Sequence, residues 1–283
     1  HGNSKLLGQL WWQATKLKGE LHNAGCDILF ATDASTLCRF EPMVVLSQDL
    51  LSYEPGVMRA FGWSFARLRL LLILFLQNRA FRNSSGSIFL TRYAANLIMN
   101  SCGQLGSYAC IPHGVDSSFK NDKTLISWPS DERRAIRCIY VSNAEMYKYQ
   151  WTVVEAIATL RRQGRNVTLT LVGGGVGPAQ RLLEDVIARV DPMGEFVNQI
   201  EFIPKEDLLD QLVISDVFIF ASACEAFGIT LLEGMSLGLP IACSNRSSLP
   251  ETLGDGGIYF DPSDEKSIAD AVDIIIESNE RRM

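Results

Sequence analysis

The sequence predicts an α/β fold made of two units, each a parallel sheet covered by helices. Three observations predict it. Short apolar runs alternate regularly with segments of helical period through the second half. A chain of 283 residues, 47% apolar and 20% charged, has the size and composition of one large or two medium globular domains. Between the halves, "IPHGVDSSFKNDKTLISWPS" (111–130) gathers Pro, Gly, Ser and Asp and loses periodicity, as a linker does. The boundaries predicted are a first domain over 1–115, a linker over 116–130 and a second domain over 131–283.

In the first half, residues 4–22, 57–82 and 91–101 read as helices. "CDILFAT" (26–32), "PMVVLS" (42–47), "GSIFL" (86–90) and "YACIP" (108–112) read as strands. The longest apolar run, "LLLILFL" (70–76), is too short to span a bilayer and reads as a core helix in preference to a membrane-surface one. In the second half the strands are 136–142, 167–173, 200–203, 216–222, 240–244 and 257–260. Between them lie helices over 149–164, 178–190, 205–213 and 229–237, and a last helix over 264–277 closes the series. Val153, Ile157 and Leu160 share one stripe of the first of these helices, and Pro178 opens the second. Strands apolar along their whole length, alternating with helices, belong to a parallel sheet covered on both faces.

Charge is unevenly divided. Residues 1–120 carry 11 Lys and Arg against 7 Asp and Glu, a balance of +4, and the rest carry 15 against 25, a balance of −10. Basic residues form no stripe interleaved with aromatics, so nucleic acid is excluded as a partner. The seven cysteines include no C-x-x-C pair, no metal-ligand spacing and no disulfide framework, which points to a reducing, cytoplasmic compartment. The chain opens on His1 without a signal-peptide pattern and stops just after a helical segment, as a piece or short form of a longer protein would.

Open α/β sheets bind ligands beyond the carboxyl ends of their strands. Three loops lie there. "VGGGVGP" (172–178) places Gly173 and Gly174 where backbone can approach a phosphate or sugar, although Pro178 breaks the dinucleotide fingerprint and a structural tight turn has the same composition. "CEAFGITLLEG" (224–234) sets Glu225 and Glu233 eight residues apart, with Phe227 between them and a helix start at Gly228, Ile229 and Thr230. First-turn amides and the helix dipole make an anion site there. A carboxylate accepts hydrogen bonds from both hydroxyls of a vicinal diol, so one Glu can hold a sugar and the other a ribose. The plainer alternative is a Glu at a helix start and a solvated Glu one turn on. "SNAEMYK" (142–148) ends on Lys148, which suits a phosphate leaving group, or is an ordinary surface lysine.

Together these segments resemble the retaining glycosyltransferases of the GT-B fold known as group 1, or family 4. Glu225 and Glu233 in "EAFGITLLE" match that family's paired glutamates. "GLPIACSNRSSLPETLGDGGIYFDPSD", "IPHGVD" and "YVSNAEMYKYQWTVVEAI" are similar to its neighbouring segments. "MVVLSQDLLSYEP" with "FGWSFARLRLLLILFLQNRAF" resembles members that assemble bacterial surface polysaccharides.

The resemblance implies GT-B architecture: two Rossmann-like domains facing a cleft, with the N-terminal domain incomplete because the family's leading strands would precede His1. It implies a mannosyltransferase-like enzyme of lipopolysaccharide or exopolysaccharide biosynthesis, moving a hexose with retention to a saccharide or lipid-linked acceptor. Glu225 would contact the donor sugar, Glu233 the ribose, and Lys148 with the amides of Gly228 to Thr230 the diphosphate. Gly173, Gly174 and Phe227 would line the pocket. No cofactor beyond the nucleotide-sugar co-substrate and no metal is implied, and no Asp-x-Asp site is visible. Asn143 stands where members carry an Arg, and Gln48 and Asp49 stand on the acceptor side where many carry a His. The segment 200–207 is shorter than usual. The basic first half suits peripheral contact with an anionic membrane. The alternative is a nucleotide-sugar-binding module without turnover. A dinucleotide oxidoreductase is disfavoured by the broken glycine fingerprint.

Overall fold

A computed structural model describes residues 2–120, 128 and 134–278. The chain divides into two compact units: residues 1–113 with 225–227, and residues 114–224 with 228–283.

The first unit contains α1 (Gly2–Thr15), α2 (Leu17–Asn23), β1 (Leu29–Ala31), β2 (Met43–Leu46), α3 (Val57–Ala60), α4 (Phe65–Asn83), β3 (Gly86–Phe89), α5 (Arg92–Cys102) and β4 (Tyr108–Cys110). Its four strands form one sheet in the order β1-β2-β3-β4, and every pairing is parallel. Two predicted helices are each divided in two. Residues 57–82 become α3 and α4 because Ser64 is extended and its side chain accepts from the Arg67 amide, capping a new helix start. Residues 4–22 break at Lys16, between α1 and α2. The prediction of a core helix for "LLLILFL" is corrected as well. α4 buries only Leu70, Gln77, Ala80 and Phe81, and leaves Leu71, Leu72 and Phe75 exposed.

The second unit alternates throughout. It contains β5 (Ile136–Val141), α6 (Gln150–Arg162), β6 (Val167–Val172), α7 (Pro178–Val190), β7 (Val197–Ile200), α8 (Lys205–Val213), β8 (Val217–Phe220), α9 (Ile229–Ser236), β9 (Ile241–Ser244), α10 (Leu249–Leu253), β10 (Ile258–Phe260) and α11 (Glu265–Glu277). The strands form a six-stranded parallel sheet in the order β10-β9-β8-β5-β6-β7. β8 and β9 are buried at every position, as strands covered on both faces must be. Phe218, Ile139, Tyr140 and Leu171 are fully buried in this core, where each large apolar side chain contributes about 1.5–3 kcal/mol. The stripe expected on α6 is borne out: Val153, Ile157 and Leu160 are all buried.

The strand predicted over 200–203 lies instead at 197–200. Asp191 decides this. Its carboxylate accepts from the amides of Glu195, Phe196 and Val197 at 2.8, 2.9 and 2.7 Å and delivers the chain to the sheet edge early. Burial works against the ionised Asp191, but the three amides outweigh it and hold its pKa below the ordinary value. Phe202 is left exposed. α10 was not foreseen. Of the segment read as a linker, Ser117–Lys120 form a 3-10 turn whose Phe119 is buried in the second unit's core; residues 121–127 and 129–133 lie outside the described residues.

The strand order fixes where chemistry can occur. β5 leads through α6 to β6 on one side, whereas its other neighbour is β8. The direction of winding reverses between them, and loops leaving the carboxyl ends of β5 and β8 diverge to leave a crevice.

Candidate functional site

Loop 142–148 leaves β5 at that reversal point. Gln150, almost fully buried, donates from Nε2 to the Ser142 carbonyl at 2.7 Å and to its hydroxyl at 3.1 Å. The Tyr140 hydroxyl donates to the Lys148 carbonyl at 2.7 Å, and Tyr149 turns into α6 with φ +49°. The Lys148 side chain is thereby half-buried, with Nζ 5.2 Å from the Tyr147 ring centroid and 5.7 Å from that of Phe220. Phe220 ends β8. The Tyr147 carbonyl also accepts from the Ala223 amide at 2.7 Å, which joins the two loops.

Gly228 caps α9 in the left-handed conformation, φ +88°, with no side chain satisfying the helix's first amides. A Cβ there would lie 3.1 Å from Leu249 and 3.5 Å from the Phe220 ring. The ammonium of Lys148 and the open amide end of α9 therefore flank a single aromatic side chain, although 80 positions of sequence separate Lys148 from Gly228. Two independent positive features, a cation and a helix dipole, converge there. Ile229 is exposed and Thr230 half-buried at the same end.

The glycine loop borders this site from β6. A Cβ on Gly173 would meet the Ser142 carbonyl oxygen at 2.2 Å, and φ there is +118°. A Cβ on Gly174 would lie 3.2 Å from the Glu201 side chain. Gly173 is thus demanded by close backbone packing whether or not ligand touches it, whereas a side chain at Gly174 would only crowd Glu201. Asn143 is exposed beside them.

Glu233 lies one turn into α9, half-buried. Burial raises its pKa above the ordinary 4.5; Lys205 draws it down and Asp116 adds to the rise. Lys205, the first residue of α8, pairs with Asp116 at 2.7 Å, and that pair holds the Asp116 carboxyl well below the usual range. Sequence reasoning singled out neither residue, although each lies inside a segment it considered: Asp116 ends "IPHGVD" and Lys205 falls within 200–207.

The remaining candidates belong to the first unit. Gln48 and Asp49 follow β2 directly, and Gln48 Nε2 donates to the Thr32 carbonyl at 3.2 Å. Asp49 accepts from the Leu51 amide at 2.8 Å. Its pKa is raised, first by burial, then by the charges of Asp33 and Glu225 against the pull of that amide. Asp33, which follows β1, was not singled out from sequence. Asp33, Asp49 and Glu225 thus gather negative charge at the carboxyl end of this sheet. Two more residues missed from sequence hold the "EAF" turn: the Thr91 hydroxyl donates to the Ala226 carbonyl at 3.1 Å, and the His113 ring meets Phe227 edge-on at 5.8 Å. Thr91 also caps α5.

Glu233 gives a pH-dependent prediction. Its pKa is raised in the folded protein, so the fold binds its proton more readily than the unfolded chain does. The stability this contributes is complete below the ordinary value of 4.5 and is lost as pH rises through the folded pKa. Glu233→Gln is therefore expected to raise Tm at pH 8, with the gain vanishing near pH 4. Thermal melts at both pH values check this; a lower Tm at pH 8 would contradict it.

Comparison with known proteins places the geometry in a family. The structure aligns with sucrose-phosphate synthase from Thermosynechococcus elongatus at TM-score 0.76 and 19% identity, covering 99% of this chain and 71% of that one. It aligns with Anabaena HepE in complex with UDP at TM-score 0.72 and 20% identity, covering 95% and 73%. The fold is GT-B. By sequence, the chain is 30% identical over 131 residues to O-antigen chain mannosyltransferase B of Escherichia coli, 46% of this chain and 34% of that protein. It is 28% identical over 203 residues to a GDP-mannose-dependent alpha-(1-6)-phosphatidylinositol monomannoside mannosyltransferase of Mycolicibacterium smegmatis, 65% of this chain and 51% of that protein. The matches thus span about a third to a half of these curated relatives. Residues 123–283 match the family model described as glycosyl transferases group 1, and the chain belongs to that family.

Proposed function

We propose that this protein transfers a hexose from a nucleoside diphosphate sugar to a hydroxyl of a saccharide or lipid-linked acceptor, retaining the anomeric configuration, in the assembly of a bacterial polysaccharide. Mannose is the first sugar to test, since two of the relatives above are mannosyltransferases. The observation that carries the reading is the convergence of Lys148 and the uncapped start of α9 on Phe220, a built site for a diphosphate.

Glu233 accepts from the ribose hydroxyls and Glu225 from the donor sugar. Asn143, Gly173 and Gly174 border the diphosphate, with Gly228, Ile229 and Thr230 supplying helix-start backbone. Phe227 lies beside the sugar-binding turn, and Gln48 and Asp49 face the acceptor. In the reaction the bond from the sugar's anomeric carbon to the diphosphate oxygen breaks, and a bond to the acceptor oxygen forms. The acceptor's proton passes to the departing phosphate. Negative charge grows on the diphosphate as that bond lengthens, so Lys148 and the α9 amides act most strongly in the transition state.

A stability screen against GDP, UDP, ADP and their sugars tests the donor site, followed by transfer assays with the stabilising sugar nucleotide and NMR of the product's anomeric configuration. One nucleotide is expected to raise Tm, and Glu225→Gln is expected to lower transfer by about 100-fold or more. Stabilisation without transfer would replace this reading with a binding module. No stabilisation by any nucleotide would overturn the donor site.

A further inference from the structure

One buried side chain closes the loop that carries Asn143 and Lys148. Gln150, the first residue of α6, is 1% exposed and reaches back across that loop. Its Nε2 donates to the Ser142 carbonyl at 2.7 Å and to the Ser142 hydroxyl at 3.1 Å. Only the nitrogen of a side-chain amide can meet a carbonyl, so Ser142 fixes how the group is turned. The other polar atom, Oε1, is buried and has no donor among the described residues. A methionine or leucine would fill the same space without an orphaned acceptor, whose burial costs stability. Packing therefore gives no reason for an amide at this position, whereas the bond to Ser142 does.

The Ser142 carbonyl is also where the glycine loop arrives. A Cβ on Gly173 would lie 2.2 Å from its oxygen, and one on Gly175 would lie 2.8 Å from the Ala144 oxygen. The Ser142 amide donates to the Val172 carbonyl at 2.8 Å, and the Ala144 amide to that of Gly174 at 3.1 Å. The glycine loop and the start of the lysine loop thus form one packed piece, which Gln150 holds from the side of α6. At the other end of the lysine loop, Tyr149 stands between Lys148 and Gln150 in the left-handed conformation, φ +49° and ψ +33°. A residue with a Cβ adopts that conformation at a cost and keeps it where its surroundings over-determine the backbone. The Tyr140 hydroxyl holds the residue before it, through the Lys148 carbonyl at 2.7 Å. The Gln150 side chain holds the residue after it.

We propose that Gln150 is a positioning residue for sugar transfer: its bond to the Ser142 carbonyl fixes the path of residues 142–149, and with it the place of the Lys148 ammonium beside the Phe220 ring. This rests on the donor-site reading above, in which that ammonium meets the departing diphosphate. Gln150 acts through Lys148, since its own donor group is engaged by Ser142. Transfer is sensitive to such placement, because a shift of about 1 Å in a reacting group can cost about 100-fold in rate.

Two substitutions in the full chain test this. Gln150→Met keeps the length and bulk of the side chain and removes the donor. Gln150→Glu keeps the shape and sets an acceptor against the carbonyl. In steady-state transfer, both are expected to lower kcat about 10- to 100-fold while changing KM far less, the pattern of a misplaced group that acts in the transition state. Circular dichroism is expected to stay unchanged. Proton NMR reads the clamp directly. The Lys148 methylene next to Nζ, assigned by its loss in Lys148→Ala, is expected to lie upfield in the unaltered chain because of the Tyr147 and Phe220 rings. In both variants it should return toward the shift of an exposed lysine. A fall in Tm with kcat and the lysine resonance unmoved would overturn the proposal and leave Gln150 a packing residue. So would failure of both variants to fold, because the residue would then serve folding and not placement. The resonance needs no turnover. If it moves in the variants while the unaltered chain transfers no sugar, the clamp stands and the reading of the reaction falls.

Discussion

Replacing Lys148 by Ala is expected to lower kcat for sugar transfer by about 100- to 1,000-fold while changing KM far less. The reason lies in how the side chain is held. The Tyr140 hydroxyl fixes the Lys148 carbonyl, and Tyr149 fixes the following turn, so the backbone survives loss of the side chain. The ammonium reaches the Phe220 ring, which also borders the start of α9. A ground-state diphosphate already carries charge that the helix amides can meet. In the proposed reaction the additional charge of bond breaking falls to the lysine, and an interaction stronger in the transition state shows in kcat. Lys148→Arg should recover only part of the loss, because a planar fork does not replace a point charge held between rings. Steady-state kinetics with the donor identified by the stability screen decide it. A variant with unchanged kcat and a raised KM would show that Lys148 only binds.

Asp216→Ala is expected to cost about 3–5 kcal/mol of stability, the range for breaking a buried ion pair by removing one partner. The Asp216 side chain is 1% exposed. It receives Arg134 through both terminal nitrogens at 3.0 and 2.8 Å, and the Arg137 backbone amide at 2.8 Å and Nε at 3.4 Å. This one carboxylate ties the start of β8 to the start of β5, the two strands that frame the candidate site. The surroundings are dry: burial, and then the charge of Asp216, raise the pKa of the neighbouring Cys138 thiol. Removing the carboxylate leaves an amide and two guanidiniums short of an acceptor. Urea unfolding at pH 7 measures the effect. A loss below about 1 kcal/mol would mean that the arginines relax into solvent and the pair is worth no more than a surface one.

Most of the second unit was legible in the chain itself. In a parallel sheet covered on both faces, strands are apolar throughout and helices keep a 3.6-residue stripe, so "VFIF" and α6 announce themselves locally. The first unit was less legible. A helix that leaves its leucines exposed has the same local pattern as one that buries them, and for that reason α4 was misplaced in the core. β7 slipped by three residues because a side chain outside the strand, Asp191, chooses where the chain meets the sheet.

The candidate site divides in the same way. The residue types and spacing of "EAFGITLLE" carried the resemblance to a family, because helix starts and carboxylates have local chemistry. Thr91, Asp33, Asp116 and Lys205 carried no such signal, since each acquires its role from a neighbour distant in sequence. The sequence by itself determined the fold class, the alternation of strands and helices, and the position of the helix start at Gly228. Only the tertiary structure decided that winding reverses between β5 and β8, which brings Lys148 and Gly228 to the same ring, and that α4 turns its leucines outward. The physical reason is range: backbone preference and periodicity act over a few residues, whereas burial, pairing order and charge proximity depend on which distant segments share space.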